Sequence, residues 1–287
     1  MGVTKDAGKD LRTRFMEPPF SVLDTKSGSW QERKNAWKTL GIQSEVGRDC
    51  KTYAGAAASI DFYRVKEGKS TSSQEIHTSI FDPALCELLY SWYVPEAGRI
   101  LDPFAGGSVR GIVAAKMGFK YTGIDIRQEQ VDSNREQASR IVPGSEPEWI
   151  VGDSAVVVPS LSESFDCVFS CPPYADLEVY SKLPGDISNM EYPQFIAAYR
   201  KIIEASCRLL RRGGYAVFVV GEVRGKDGGY LGFVPDTVRA FTDAGMLYYN
   251  EAILLNSIAS ASMRAAGNMK SGKLAKVHQN VLIFKKP

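Results

Sequence analysis

From about residue 76 onward, short apolar runs alternate with stretches whose apolar residues recur at helical spacing, the rhythm of a parallel sheet with crossover helices. The runs predict strands over Arg99–Leu101, Tyr121–Asp125, Trp149–Val151, Phe165–Ser170, Tyr215–Gly221, Met246–Leu255 and His278–Phe284. The periodic stretches predict helices over Pro83–Trp92, Ser108–Met117, Gln128–Ile141, Tyr192–Leu210 and Val234–Ala244. Between the last two strands lies only a loop, Asn256–Val277, too polar to read as a helix, so these strands should pair antiparallel. The expected fold is α/β: a Rossmann-like, doubly wound, seven-stranded sheet, mostly parallel with an antiparallel last strand. Residues 1–75 read as an N-terminal extension with one helical piece, Trp30–Leu40, and residues 76–287 as the main domain.

Composition narrows the setting. With 287 residues, 44% of them hydrophobic and 24% charged, the chain can bury a sizeable core. It holds no long apolar run, and its first residues, MGVTKDAGKDLRTRF, lack the apolar stretch of a signal peptide, so a soluble, unsecreted protein is expected. The five cysteines are scattered and never spaced C-x-x-C, which argues for a reducing cytoplasm and against a metal framework. A net charge of +2 decides little, but no acidic residue follows Glu251, whereas Arg264, Lys270, Lys273 and Lys276 all do.

The segment ILDPFAGGSVRGIVAA places Gly106, Gly107 and Gly111 where a strand meets a helix, a junction that lets a ligand approach bare backbone N–H groups. Its spacing gives neither the G-x-G-x-x-G dinucleotide turn nor the Gly-Lys-Ser/Thr of a P-loop. Asp125 closes the next strand, about 20 residues on, where a carboxylate can accept hydrogen bonds from ribose hydroxyls. Asp153 sits just beyond the strand after that. A glycine turn followed by two strand-end carboxylates suits a nucleoside-like ligand lying across the strand tips; the plainer alternative makes both acids turn or cap residues.

After the fourth predicted strand comes Cys171-Pro172-Pro173-Tyr174, a stiff turn with an aromatic face beside it. With DPFAGG upstream and this tetrad downstream, the chain resembles the class I S-adenosylmethionine-dependent methyltransferases. Within them it resembles the DNA amino-methyltransferases of the N6-adenine and N4-cytosine type, whose tetrad is Asp, Asn or Ser followed by Pro-Pro-Tyr or Pro-Pro-Phe. The phrases PPFSVLDTKSGSWQERK, CPPYADLEVYS and KVHQNVLIF are similar to those of phage and prophage DNA methylases. The resemblance implies S-adenosylmethionine as cofactor and DNA as partner. By the same resemblance Asp102, Pro103, Phe104, Ala105, Gly106 and Gly107 line the methionine part, and Asp125 holds the ribose. Asp153 faces the adenine with Ser154 beside it, and Phe81 with Asp82 closes over the methionine end. The target base, flipped out of the duplex, would give its exocyclic N–H groups to the first tetrad residue and the Pro172 carbonyl, with Tyr174 stacked on the ring.

Cys171 departs from the family pattern, because a thiol accepts hydrogen bonds weakly. Asp176, two residues past Tyr174, could supply a carboxylate; it could equally be a solvated loop acid. A further reading makes Cys171 a nucleophile toward pyrimidine C6, although C5 methylases known to us carry Pro-Cys instead. Three loops should leave the reactive edge, Ala175–Met190, Glu222–Gly232 and Asn256–Val277. Arg224 and Lys226 of the second, with Arg264, Lys270, Lys273 and Lys276 of the third, are candidate phosphate contacts. The helix carrying Trp30 and Trp37 is read as packing on the domain and not as a recognition helix. Competing functions are an RNA base methyltransferase of the guanine N2 type, a protein glutamine methyltransferase, and a methyltransferase-like DNA-binding protein without catalysis, for which Cys171 is the best argument.

Overall fold

The computed structural model describes residues 7–43, 81–174, 181, 183–225, 227–256 and 261–287. In chain order the elements are α1 (Ala7–Phe15), β1 (Val22–Asp24), α2 (Gly28–Lys38), α3 (Pro83–Tyr93), β2 (Arg99–Asp102), α4 (Val109–Lys116), β3 (Lys120–Asp125), α5 (Gln128–Ile141) and β4 (Glu148–Val151). They continue with α6 (Ser154–Ser160), β5 (Phe165–Ser170), α7 (Tyr192–Leu209), β6 (Leu210–Val220), α8 (Phe233–Asp243), β7 (Leu247–Leu255), α9 (Ala261–Met269) and β8 (His278–Lys285).

One sheet runs in the order β1-β7-β8-β6-β5-β2-β3-β4. Among the described strands only β8 runs antiparallel, wedged between β6 and β7. The expected α/β sheet with an antiparallel last strand is therefore present, but among the described residues it has eight strands and not seven. The added strand, β1, is the tripeptide VLD, too short to show an alternation of its own. It exists because its backbone pairs with β7 across the length of the chain, Val22 opposite Ile253 and Asp24 opposite Leu255. The loop before β8 also departs from expectation, since it holds α9. Its residues are mostly Ala, Met, Arg and Ser, small or unbranched side chains that tolerate a helix without an apolar stripe to announce it.

The sheet carries a core on each face because successive strand residues point opposite ways. Ile100, Val217 and Val219 join α3, α4 and α5 on one side. Leu101, Ala216, Phe218 and Val220 join α6, α7 and α8 on the other. Gly111 is a packing glycine: a Cβ there would lie 2.6 Å from the Trp149 ring, so α4 can approach the sheet only because the side chain is absent. The chain leaves β2 for β3 and β4 and then returns to β5 on the other flank of β2, making the β2 and β5 tips a topological switch point.

The N-terminal helix packs on the domain. Trp30 is 2% exposed, its Nε1 donates to Asp82 at 3.2 Å, and Lys34 Nζ reaches the same carboxylate at 2.9 Å. Trp37 Nε1 and Arg33 both reach Glu87 on α3, each at 2.7 Å. No helix among the described residues is long and apolar enough to cross a membrane.

Candidate active site

A cavity of about 640 Å³ opens at the carboxyl ends of the parallel strands. Its floor is the turn after β2, where Gly106 takes a positive φ of 51° that only glycine adopts freely. Pro103, Phe104, Gly106 and Gly107 line it from this turn, and Phe81 from the segment that precedes α3. Asp82 beside Phe81 caps α3 by accepting from Ala84 N at 3.0 Å, and α2 holds its other oxygen. Asp125 lines the cavity from the tip of β3, with Oδ1 accepting from Arg127 N at 2.8 Å. Asp153 and Ser154 line it from the start of α6. Asp153 is both a wall and a cap, since its Oδ1 accepts from Ala155 N at 2.8 Å. Ser154 Oγ donates to Pro103 O at 2.5 Å, tying α6 to the glycine turn.

Cys171, Pro172, Pro173 and Tyr174 enter the same cavity from the tip of β5, directly across the switch point. The Tyr174 hydroxyl accepts from Gln279 Nε2 at 2.6 Å, and the ring meets Phe233 edge-on at 6.1 Å. Gln279 is the second residue of β8, the antiparallel strand; it falls within the phrase KVHQNVLIF, but nothing in that phrase pointed to Gln279 itself as a partner of the tetrad tyrosine.

Two expected cofactor contacts are corrected. Asp102 and Ala105 are fully buried and do not line the cavity. The carboxylate of Asp102 turns back beneath the glycine turn, where Oδ2 accepts from Arg110 Nε at 2.5 Å and from the Tyr121 hydroxyl at 2.7 Å. Its Oδ1 accepts from Ser170 Oγ at 2.5 Å and Phe104 N at 3.1 Å. Asp102 thus binds the β2 and β5 tips to each other and to α4. Burial by itself disfavours the Arg110 charge, but the adjacent Asp102 outweighs it and keeps the guanidinium protonated. Burial, followed by Asp102, pushes the Tyr121 hydroxyl well up, so it remains a donor. Ala105 is closed off because its N–H feeds the Ile124 carbonyl at 2.9 Å.

The basic candidates fall partly together. Arg224 forms an antiparallel bridge with Tyr230 and lays its guanidinium 4.1 Å from that ring, which is 52% exposed. Lys276 approaches the same ring at 6.0 Å. Its pKa is lowered by partial burial, with Arg224 acting the same way and Glu222 opposing. Lys273 packs beside Gly228 of the Arg224 loop, while Lys270 is exposed. Glu222 organises this loop from below by accepting from Gly232 N and Phe233 N at 3.0 and 2.8 Å, capping α8. Arg264 belongs to α9, with its side chain outside the described groups, and Asp176 and Lys226 lie outside the described residues. Among the described residues no His, Cys, Asp or Glu cluster could hold a metal ion.

Residues 5–136, which include the glycine turn but not the Cys171–Tyr174 tetrad, match a family model for N6/N4 methyltransferases described as DNA methylase. No curated protein matches the chain. Among solved structures, TrmN from Thermus thermophilus is 15% identical over 72% of this chain, with a TM-score of 0.49; the match spans about half (49%) of that protein. A TehB-like SAM-dependent methyltransferase from Corynebacterium glutamicum is 17% identical over 82% of this chain and 99% of its own, with a TM-score of 0.45. Magnesium protoporphyrin IX methyltransferase from Synechocystis PCC 6803 is 13% identical over 84% and 95%, with a TM-score of 0.46. Likenesses of this size decide neither substrate nor chemistry.

Proposed function

We propose that this chain, which carries a DNA methylase match over residues 5–136, transfers a methyl group from S-adenosylmethionine to the exocyclic amine of a flipped base in DNA, cytosine N4 or adenine N6. The observation that carries the reading is the shared cavity: the Cys171-Pro172-Pro173-Tyr174 turn and the glycine turn open onto one space at the switch point. Its 640 Å³ has room for a nucleoside with an amino-acid tail and for part of a planar base. The residues fit this cofactor. Gly106 and Gly107 leave the backbone open to it, Asp125 offers a carboxylate to ribose hydroxyls, and Asp153 with Ser154 stands at the next strand tip, on the adenine side.

When bound, the cofactor supplies an electrophilic methyl on a sulfonium sulfur. The protein's own part is positioning. The lone pair of an exocyclic amine is delocalised into its ring, so acceptors must draw both N–H groups out of conjugation. The Pro172 carbonyl can do so, since Pro172 and Pro173 contribute no N–H to pull the turn into a ladder. Cys171 takes the other acceptor place. Tyr174, its hydroxyl held by Gln279 and its ring braced by Phe233, offers a stacking surface at a fixed height. Most of the acceleration then comes from orientation and proximity.

The test is to incubate the protein with S-adenosylmethionine and either mixed-sequence DNA or tRNA, digest to nucleosides, and identify the methylated product by mass spectrometry. N4-methylcytosine or N6-methyladenine from DNA is expected, and Cys171→Ser should retain or raise the rate, because a hydroxyl accepts better than a thiol. Methylated guanine from RNA alone would replace the reading with the RNA one. A 5-methylcytosine product together with a dead Cys171→Ser variant that still binds both ligands would make Cys171 a nucleophile.

The basic loops carry a separate expectation. Lys270, Lys273 and Lys276 changed together to Gln should weaken DNA binding for every sequence and flatten its salt dependence by up to about three phosphate contacts. These three are chosen because Arg224 also holds its own loop, through Nη1 to Gly228 O at 2.7 Å. An unchanged slope in binding titrations would return the lysines to a merely solvated surface.

A further inference from the structure

The buried cation under the glycine turn has one side left open. Arg110 is 5% exposed and yet part of the cavity lining. Its Nε is committed to Asp102, and its Nη2 donates to Phe104 O at 2.5 Å and Ala105 O at 2.7 Å. No direct hydrogen bond from Nη1 is found among the described residues, Nη1 is not a sealed, unsatisfied atom, and Arg110 is one of the residues that line the cavity. The plane of the guanidinium is held by Phe81, whose ring lies 4.8 Å from the Arg110 Cζ. A charged, rigidly oriented group nine-tenths buried, with an N–H pair turned into a ligand space, is a receptor for a carboxylate.

We propose that Arg110 Nη1 binds the α-carboxylate at the amino-acid end of the cofactor. The inference rests on the reading of the cavity as an S-adenosylmethionine site and adds to it the group that orients the ligand's tail. The other cations of the cavity wall are engaged or remote. Lys34 is paired with Asp82 at 2.9 Å, Arg127 gives Nη2 to Gln130 at 2.7 Å, and Lys26 is exposed beyond β1 at the far edge of the sheet. Asp102, the acid nearest the turn, cannot take the ligand's ammonium, because both of its oxygens already accept two hydrogen bonds. The tail therefore enters carboxylate first, toward Arg110 and the Gly106–Gly107 backbone, with Phe81 alongside. Asp102 becomes a positioning residue: it keeps the guanidinium charged and aims Nη1 outward. The arrangement favours ligands that carry the carboxylate over those that lack it.

The test measures binding by calorimetry of three probes, S-adenosylhomocysteine, its decarboxylated analogue, and 5′-methylthioadenosine, which lacks the whole amino-acid end. Wild type should prefer S-adenosylhomocysteine over the decarboxylated analogue by about tenfold or more, the size of a charge-assisted hydrogen bond. Arg110→Gln should bring that ratio close to one while leaving 5′-methylthioadenosine affinity within about twofold, and Arg110→Lys should keep part of the preference. A ratio unchanged in a folded Arg110→Gln protein, or a wild-type ratio near one, overturns the assignment. Because Arg110 is part of a buried network, a co-crystal structure of wild type with S-adenosylhomocysteine decides the matter if the variants do not fold. A carboxylate oxygen within hydrogen-bond reach of Nη1 supports the proposal, and a carboxylate elsewhere refutes it. Failure of wild type to bind any of the three probes at millimolar concentration would instead sink the cofactor reading itself.

Discussion

Asp102→Ala should destabilise the protein by about 3–5 kcal/mol, because removing one member of a buried ion pair leaves the other as an uncompensated charge. Asp102 is fully buried and Arg110 nearly so, with Nε and Oδ2 at 2.5 Å. The same change strips the acceptor from the Tyr121 and Ser170 hydroxyls, both in the interior. Since these groups come from β3, β5 and α4, the loss should be global and cooperative. Urea unfolding should show a lower midpoint with an unchanged slope. Asp102→Asn should be milder, because an amide oxygen still accepts, although it no longer neutralises the guanidinium. A cost below about 1 kcal/mol for Asp102→Ala would mean that water solvates Arg110 in the native state and that the network does not hold the strand tips together.

Tyr174→Ala should lower kcat/KM for DNA by about 5- to 150-fold, the equivalent of the 1–3 kcal/mol that one base–aromatic stack contributes. Affinity for S-adenosylhomocysteine should change by less than about twofold, since the glycine turn and the β3 and β4 tips are untouched. Tyr174→Phe separates the ring from its tether. It keeps the stacking face and loses the 2.6 Å bond from Gln279, so it should cost no more than about tenfold. Gln279→Leu should reproduce the Tyr174→Phe effect if the bond acts by holding the ring. Equal rates for wild type and Tyr174→Ala at subsaturating DNA would remove Tyr174 from substrate binding. The two predictions are read by different measurements, Asp102 by unfolding and Tyr174 by turnover.

Local chemistry carried much of this protein's organisation in the sequence alone. Continuous apolar runs such as FDCVFS can be satisfied only by burial on both faces, so the parallel strands were legible one by one. The glycine turn and the Cys-Pro-Pro-Tyr turn were legible too, because glycine and proline restrict the backbone wherever they stand. Both candidate acids, Asp125 and Asp153, were found at the strand tips as expected. What depended on distant partners was not legible. The tripeptide β1 is a strand only because β7 offers it an edge. Asp102 sits in the motif that suggested ligand contact, yet its direction was set by Arg110 eight residues on and Ser170 on a neighbouring strand. Arg110 itself reads along the chain as an ordinary helical charge, and Gln279 as an ordinary strand polar residue. Each acquired its place when the switch point brought β2 against β5, and β8 inserted between β6 and β7. A sequence specifies short-range backbone preference and which faces must be buried; which polar group meets which other across the sheet is settled only when the strand order and the close approach of α4 at Gly111 put them within hydrogen-bond reach.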